Sequence, residues 1–223
     1  MSNGSTGLGK KEILAVSLPN FLDSGCIVAG ASGLSLWATQ YNLGSFEVGL
    51  LGAISANALG AAIGALIGGK LTDKYGRKFV LSNDMIVYMI GALLVVFTMD
   101  FYMLLAGFVV LGLAVGASIP ANWTYLSETA ETHKRAHNIG MSQFAWSLGP
   151  AIIFLLGTLL SPLGLFGNRL LFVLLFVVAF VAWIMRRHLE ETEAFEETKS
   201  QQIGNQRETS AFKKLFWQIA NLI

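Results

Sequence analysis

Gly68-Gly69-Lys70-Leu71-Thr72-Asp73-Lys74-Tyr75-Gly76-Arg77-Lys78 is a short charged block set between two long apolar segments. Four cations and one carboxylate fall within residues 70–78, while nearly everything on either side is hydrocarbon-like. The pattern predicts an apolar helix ending before the block, a loop held at a membrane face, and a new helix beginning at Phe79. Glycine at 68, 69 and 76 lets the backbone turn tightly or approach a neighbour closely. Two readings follow. The block is a topology signal with a tight turn, or it is a gating element.

Composition decides the class around it. The chain has 223 residues, 54% hydrophobic and 13% charged, with mean hydropathy +0.59. A soluble domain carries about a quarter charged residues. Here the charges cluster, and stretches of about 18 or more residues carry almost none, as spanning helices require. A net charge of +1 gives no reason to expect a nucleic-acid partner. The single Cys26 lies in an apolar segment, so neither a disulfide framework nor metal-ligand spacing is present. The first apolar stretch is too long for a cleavable signal peptide. No nucleophile–base pairing, HExxH, CxxC or phosphate loop occurs, so no enzyme, cofactor or metal is expected.

In order, residues 1–12 read as a polar tail and residues 13–187 as six spans. The first, about Ile13 to Trp37, contains Pro19, Asp23, Gly25, Gly30 and Gly33 and is expected to be bent or broken. The second, about Val48 to Ile67, carries a Gly60/Gly64/Gly68 face that should pack on a neighbouring helix. The third runs from about Phe79 to Met99 and the fourth from about Phe101 to Tyr125. A charged loop at 128–137 precedes the fifth, about Asn138 to Leu160, and a turn at 161–168 precedes the sixth, about Arg169 to Met185. Residues 188–211 form a polar linker. Residues 212–223 are an amphipathic segment or the cut-off start of a seventh span.

With six spans both termini share one side. That side holds 14 of the 15 Lys and Arg residues, leaving only Arg169 on the other. The positive-inside rule makes it the cytoplasmic side of a multi-pass cell membrane protein, an inner membrane protein in a bacterium, with lipid as its first partner.

Polar residues inside the spans carry the candidate chemistry. A carboxylate such as Asp23, about ten residues into its span, costs roughly 2.5–3.5 kcal/mol at the bilayer centre and should face a bundle interior or wet cavity. It is interhelical glue or a proton or substrate site. Asp84 lies within two turns of Lys78 and reads as structural or interfacial. Asn57, Asn122, Trp123, Tyr125 and Gln143 can line a sugar-like cavity or bond helix to helix.

The 68–78 block resembles the loop 2–3 signature of the major facilitator superfamily, with its paired glycines, acid, second glycine and two closing cations. Phe21-Leu22-Asp23-Ser24-Gly25 resembles the first-helix segment of the sugar porter and metabolite transporter branch. Tyr125-Leu126-Ser127-Glu128 with Arg135 resembles that branch's loop 4–5. Gln143 follows eight residues after Arg135, and Gly149 six further on. Leu189-Glu190-Glu191-Thr192 is a weak echo of the element after helix six. The resemblance implies an all-α N-terminal half built of two three-helix inverted repeats. It implies Gln143 as a substrate contact, Asp23 as a proton-coupling carboxylate, and a cytoplasmic gating network of Gly69, Asp73, Gly76, Arg77, Glu128 and Arg135.

Three departures qualify what it implies. Phe108 stands where proton-coupled members carry an arginine beside the first-helix acid. Arg135-Ala136 replaces an Arg-Gly, and the proline after the glutamate is absent. The chain also supplies only one half, so it is expected to be a fragment, a half-size protein that pairs with a C-terminal six-helix half from the same gene or a separate chain, or a vestigial product. The apolar start at Phe212 points to the first. The reading is a transporter of a sugar or small organic metabolite, with or without a proton. Its rival is a non-transporting relic or a membrane assembly or sensor subunit.

Overall fold

A computed structural model describes residues 10–54, 59–130, 133 and 135–201. Among these every regular element is helical: α1 (Lys10–Gln40), α2 (Ser45–Ile54), α3 (Leu59–Tyr75), α4 (Arg77–Val96), α5 (Phe101–Thr129), α6 (Arg135–Leu160) and α7 (Gly164–Arg186). A 3-10 turn, Ser161–Leu163, joins α6 to α7, and residues 193–201 are helical too. The tail at 1–9, Asn57 and the segment 212–223 lie outside the described residues.

The helices α1, α4, α5, α6 and α7 run for 31, 20, 29, 26 and 23 residues. At about 1.5 Å per residue each reaches the roughly 30 Å of a hydrocarbon core. Their sequences are apolar enough to cross it, with α6 and α7 falling in one apolar stretch, Arg135–Arg186. The remaining crossing of the six-span all-α architecture is supplied by α2 and α3, which flank residues 55–58.

Three expectations change. The 68–78 block is not a loop, because α3 continues through it to Tyr75 and α4 begins at Arg77. Only Gly76 interrupts the helix, at φ 100°. Continued helix satisfies the backbone internally at a membrane face, while long lysine side chains carry their charge outward. Nor is α1 broken at Pro19, which sits inside one continuous helix. The proline ring leaves the carbonyl four residues earlier, that of Ala15, without its helical donor. Arg186 Nε supplies the missing bond at 3.2 Å. The turn before the sixth span is shorter than expected, since α7 starts at Gly164.

The expected glycine face is present, and its partner is α5. Gly64 and Gly68 press on the backbone of Leu113 and Ala117, and Gly116 presses in return on that of Ala61. With α1 packed on α6 and α3 on α5, the first helix of each three-helix repeat packs on the second helix of the other. The core between them closes on Trp37, Phe108 and Phe172, all buried, with Trp37 edge-on to Phe108 at 5.6 Å between ring centroids.

Candidate functional site

At the end of the bundle carrying the charged block, Gly76 turns the chain from α3 into α4 with no side chain of its own to cap the new helix. The first amides of a helix need acceptors. They receive them from the segment after α7. Glu191 Oε1 accepts from the backbone amides of Arg77 at 3.0 Å and Lys78 at 3.3 Å. This puts a carboxylate at a helix N-terminus, where the macrodipole favours it. Arg77 Nη2 meanwhile donates to Glu128 Oε1 at 2.7 Å, and the other oxygen of Glu128 accepts from Thr192 Oγ1 at 2.6 Å. The Arg77 guanidinium lies 5.1 Å from the centre of the Phe195 ring. Two of the expected gating charges thus meet, drawn together by a segment that the sequence marked only as a weak echo. Asp73 and Arg135 are exposed and make no ion pair among the described residues. Gly69 faces open space.

One layer inward lies a second cluster. Arg186 and Asp84 are fully buried and paired, with Nη1 at 2.8 Å from Oδ2 and 3.1 Å from Oδ1. The same nitrogen reaches the Leu81 carbonyl at 3.0 Å. Arg186 Nη2 donates to Asn122 Oδ1, and Asn122 Nδ2 donates to Asn20 Oδ1 at 3.2 Å. Asn20 Nδ2 in turn donates to Ser142 Oγ. The sequence marks Arg186 only as one of the cations of the side that holds both termini; the structure buries it completely. A lone acid at 84 and a carbonyl freed by Pro19 both call for a hydrogen-bond donor, and that was the signal available. Asn122 has both polar ends hydrogen-bonded between helices, to Arg186 of α7 and Asn20 of α1.

Asp23 is fully buried one turn further along α1. Its Oδ2 accepts from Ser118 Oγ of α5 at 2.6 Å, and its Oδ1 has no partner among the described residues. Phe108 packs beside Gly30, about 10 Å along α1 from Asp23 by helical rise. The group that bonds the acid is Ser118, while the Phe108 ring packs further along α1. Trp123 is 42% exposed and Gln143 is exposed, so both present side chains outside this half's own core. Toward the opposite end a cavity of about 380 Å³ opens between α1, α6 and α7, with Ser32, Ser35, Thr158 and Asn168 among its lining.

The Major Facilitator Superfamily model matches residues 13–220. The minor myo-inositol transporter IolF of Bacillus subtilis (strain 168) is 46% identical over 210 residues, 94% of this chain and 48% of its own length. The arabinose-proton symporter of Escherichia coli (strain K12) is 31% identical over 182 residues, 74% of this chain and 39% of its own. Among solved structures, a partially occluded inward-open conformation of the xylose transporter XylE from E. coli superposes with TM-score 0.77 at 16% identity, covering 92% of this chain and 57% of that one. The chain spans about half the length of the curated relatives it matches.

Proposed function

The chain belongs to the major facilitator superfamily, and from that premise we propose that it forms the N-terminal half of a secondary or facilitative transporter for a sugar or cyclic polyol. It works by alternating access against a C-terminal six-helix half. The observation that carries the substrate class is the 46% identity with a myo-inositol transporter across 94% of the chain.

In this reading the end bearing Arg77, Glu128 and Glu191 is cytoplasmic, as the distribution of cations supports. Arg77–Glu128, with Glu191 and Thr192 docked on it, is a latch that holds α4, α5 and the segment after α7 together when that side is closed. Such pairs are weak in water. Side-chain exposures of 13% for Arg77 and 19% for Glu128 shield this one, so that it can bias a two-state equilibrium. Asp73 and Arg135, exposed in this half, are available to the other half. Trp123 and Gln143 contact the solute, which offers hydroxyls to an amide and a C–H face to an indole. Asp23 couples a proton, its open Oδ1 being the atom to receive it.

The test is uptake of labelled myo-inositol, D-xylose and L-arabinose into proteoliposomes containing this chain, with and without a C-terminal half. Uptake of at least one solute with both halves present is expected. No uptake in any arm removes the transport reading.

A further inference from the structure

The buried cluster beneath Asp23 is arranged in a way that a simple counter-ion pair does not need. Three of its links cross between the two three-helix repeats. Asp84 of α4 meets Arg186 of α7, Asn20 of α1 meets Asn122 of α5, and Asn20 meets Ser142 of α6. The fourth, Arg186 to Asn122, joins the crossings into one chain through five helices. Each exposed cavity candidate directly follows a member of it: Trp123 follows Asn122, and Gln143 follows Ser142.

Shape alone does not call for this chemistry. Well-packed apolar residues often replace a buried ion pair without loss of stability, whereas polar partners fix register and orientation where they have such a role. Arg186 is also held in place by the Ala15 carbonyl that Pro19 frees, so α1 contributes to the clamp at two levels.

We propose that Asp84 and Arg186, acting through Asn122, Asn20 and Ser142, are positioning residues that hold Trp123 and Gln143 in register across the two repeats. The claim rests on the transport reading only for what Trp123 and Gln143 touch. The brace sets the spacing between α5 and α6 at the level of Trp123 and Gln143. It does not contact the solute.

Two readouts test it in proteoliposomes holding the chain and a C-terminal half. For transport, Ser142→Ala and Asn20→Ala raise KM for the transported sugar about fivefold while kcat stays within about twofold, and Ser142→Thr, which keeps the hydroxyl, restores the parent KM. For geometry, Trp123→Cys, Gln143→Cys and Val177→Cys are each made in a Cys26→Ala background and labelled with a membrane-permeant maleimide. Adding Asn20→Ala changes the labelling rate at 123 and 143 by about threefold or more, the scale of a modest population shift, and leaves the exposed α7 site at 177 unchanged. Equal changes at all three sites, or none at 123 and 143, overturn the brace. Failure of every sugar to move overturns the transport reading instead, and the labelling pattern still decides the brace.

Discussion

Arg77 and Glu128 meet at 2.7 Å across the ends of α4 and α5, and the pair is closed over by a segment from beyond α7. Glu128 is shared between a guanidinium and the Thr192 hydroxyl, so neutralising it loosens two contacts with one change. Glu128→Gln is expected to shift the two-half transporter roughly tenfold toward opening at this end, equivalent to ~1.4 kcal/mol. Spin-label distances between the two halves on that side measure the shift. An unchanged distance distribution removes Glu128 from the latch.

Gly76 and Glu191 give a second, independent lever on the same place. Gly76 sits at φ 100°, and a Cβ there meets the Glu191 carboxylate. Gly76→Ala therefore combines left-handed strain of about 1–2 kcal/mol with displacement of the group that caps α4. Once Glu191→Ala has removed the closest obstacle, the strain and the Phe195 ring, 3.1 Å from such a Cβ, remain. The two substitutions should be non-additive, with the double variant melting higher than the sum of the singles predicts. Additive losses in thermal melting refute the contact.

Adjacent glycines should behave oppositely. A Cβ on Gly68 meets the α5 backbone at Ala117, whereas one on Gly69 meets nothing within 4 Å. Gly68→Leu forces α3 off α5 and is expected to lower the stability of the detergent-solubilised chain by at least the ~1–3 kcal/mol of overpacking. Gly69→Leu leaves that melting curve in place. If Gly69 belongs to the gate, its substitution slows uptake only when the C-terminal half is present. Equal melting losses at 68 and 69 contradict the packing.

How far the sequence could be read depended on whether the determining interaction was local. Apolar length marked the spans, and the Gly60/Gly64/Gly68 spacing marked a close helix contact, because both are properties of a single helix. The Arg77–Glu128 meeting came from resemblance, not from spacing. Arg186 escaped because an arginine at the end of an apolar run reads as a solvated anchor. Only the fold brings Asp84 and the Ala15 carbonyl to it, from 102 and 171 residues away. Asn122 could not be sorted into cavity or glue because the same amide serves either, and its partners lie on α1 and α7. The charged block was misread as a loop for a related reason: glycine and lysine are turn and surface residues in water. At a membrane face the backbone stays helical and only the side chains leave.

Asp23 separates interhelical glue from proton coupling by one near-isosteric change. Asn at position 23 keeps an oxygen to accept from Ser118, so the α1–α5 bond at 2.6 Å has a replacement and folding should survive. What Asn lacks is an oxygen that can take up and release a proton. If Asp23 couples, Asp23→Asn abolishes accumulation of sugar against its gradient when a pH gradient is imposed, yet spares exchange of labelled for unlabelled sugar, which needs no net proton movement. Ser118→Ala tests the other side. It removes the bond and leaves the carboxylate, so coupling persists with an altered pH profile of uptake. If Asp23 is glue alone, Asp23→Asn leaves accumulation intact and Ser118→Ala costs about 0.5–1.5 kcal/mol of stability, the ordinary loss of one hydrogen bond. Accumulation that persists in Asp23→Asn, beside normal exchange, excludes Asp23 as the coupling site.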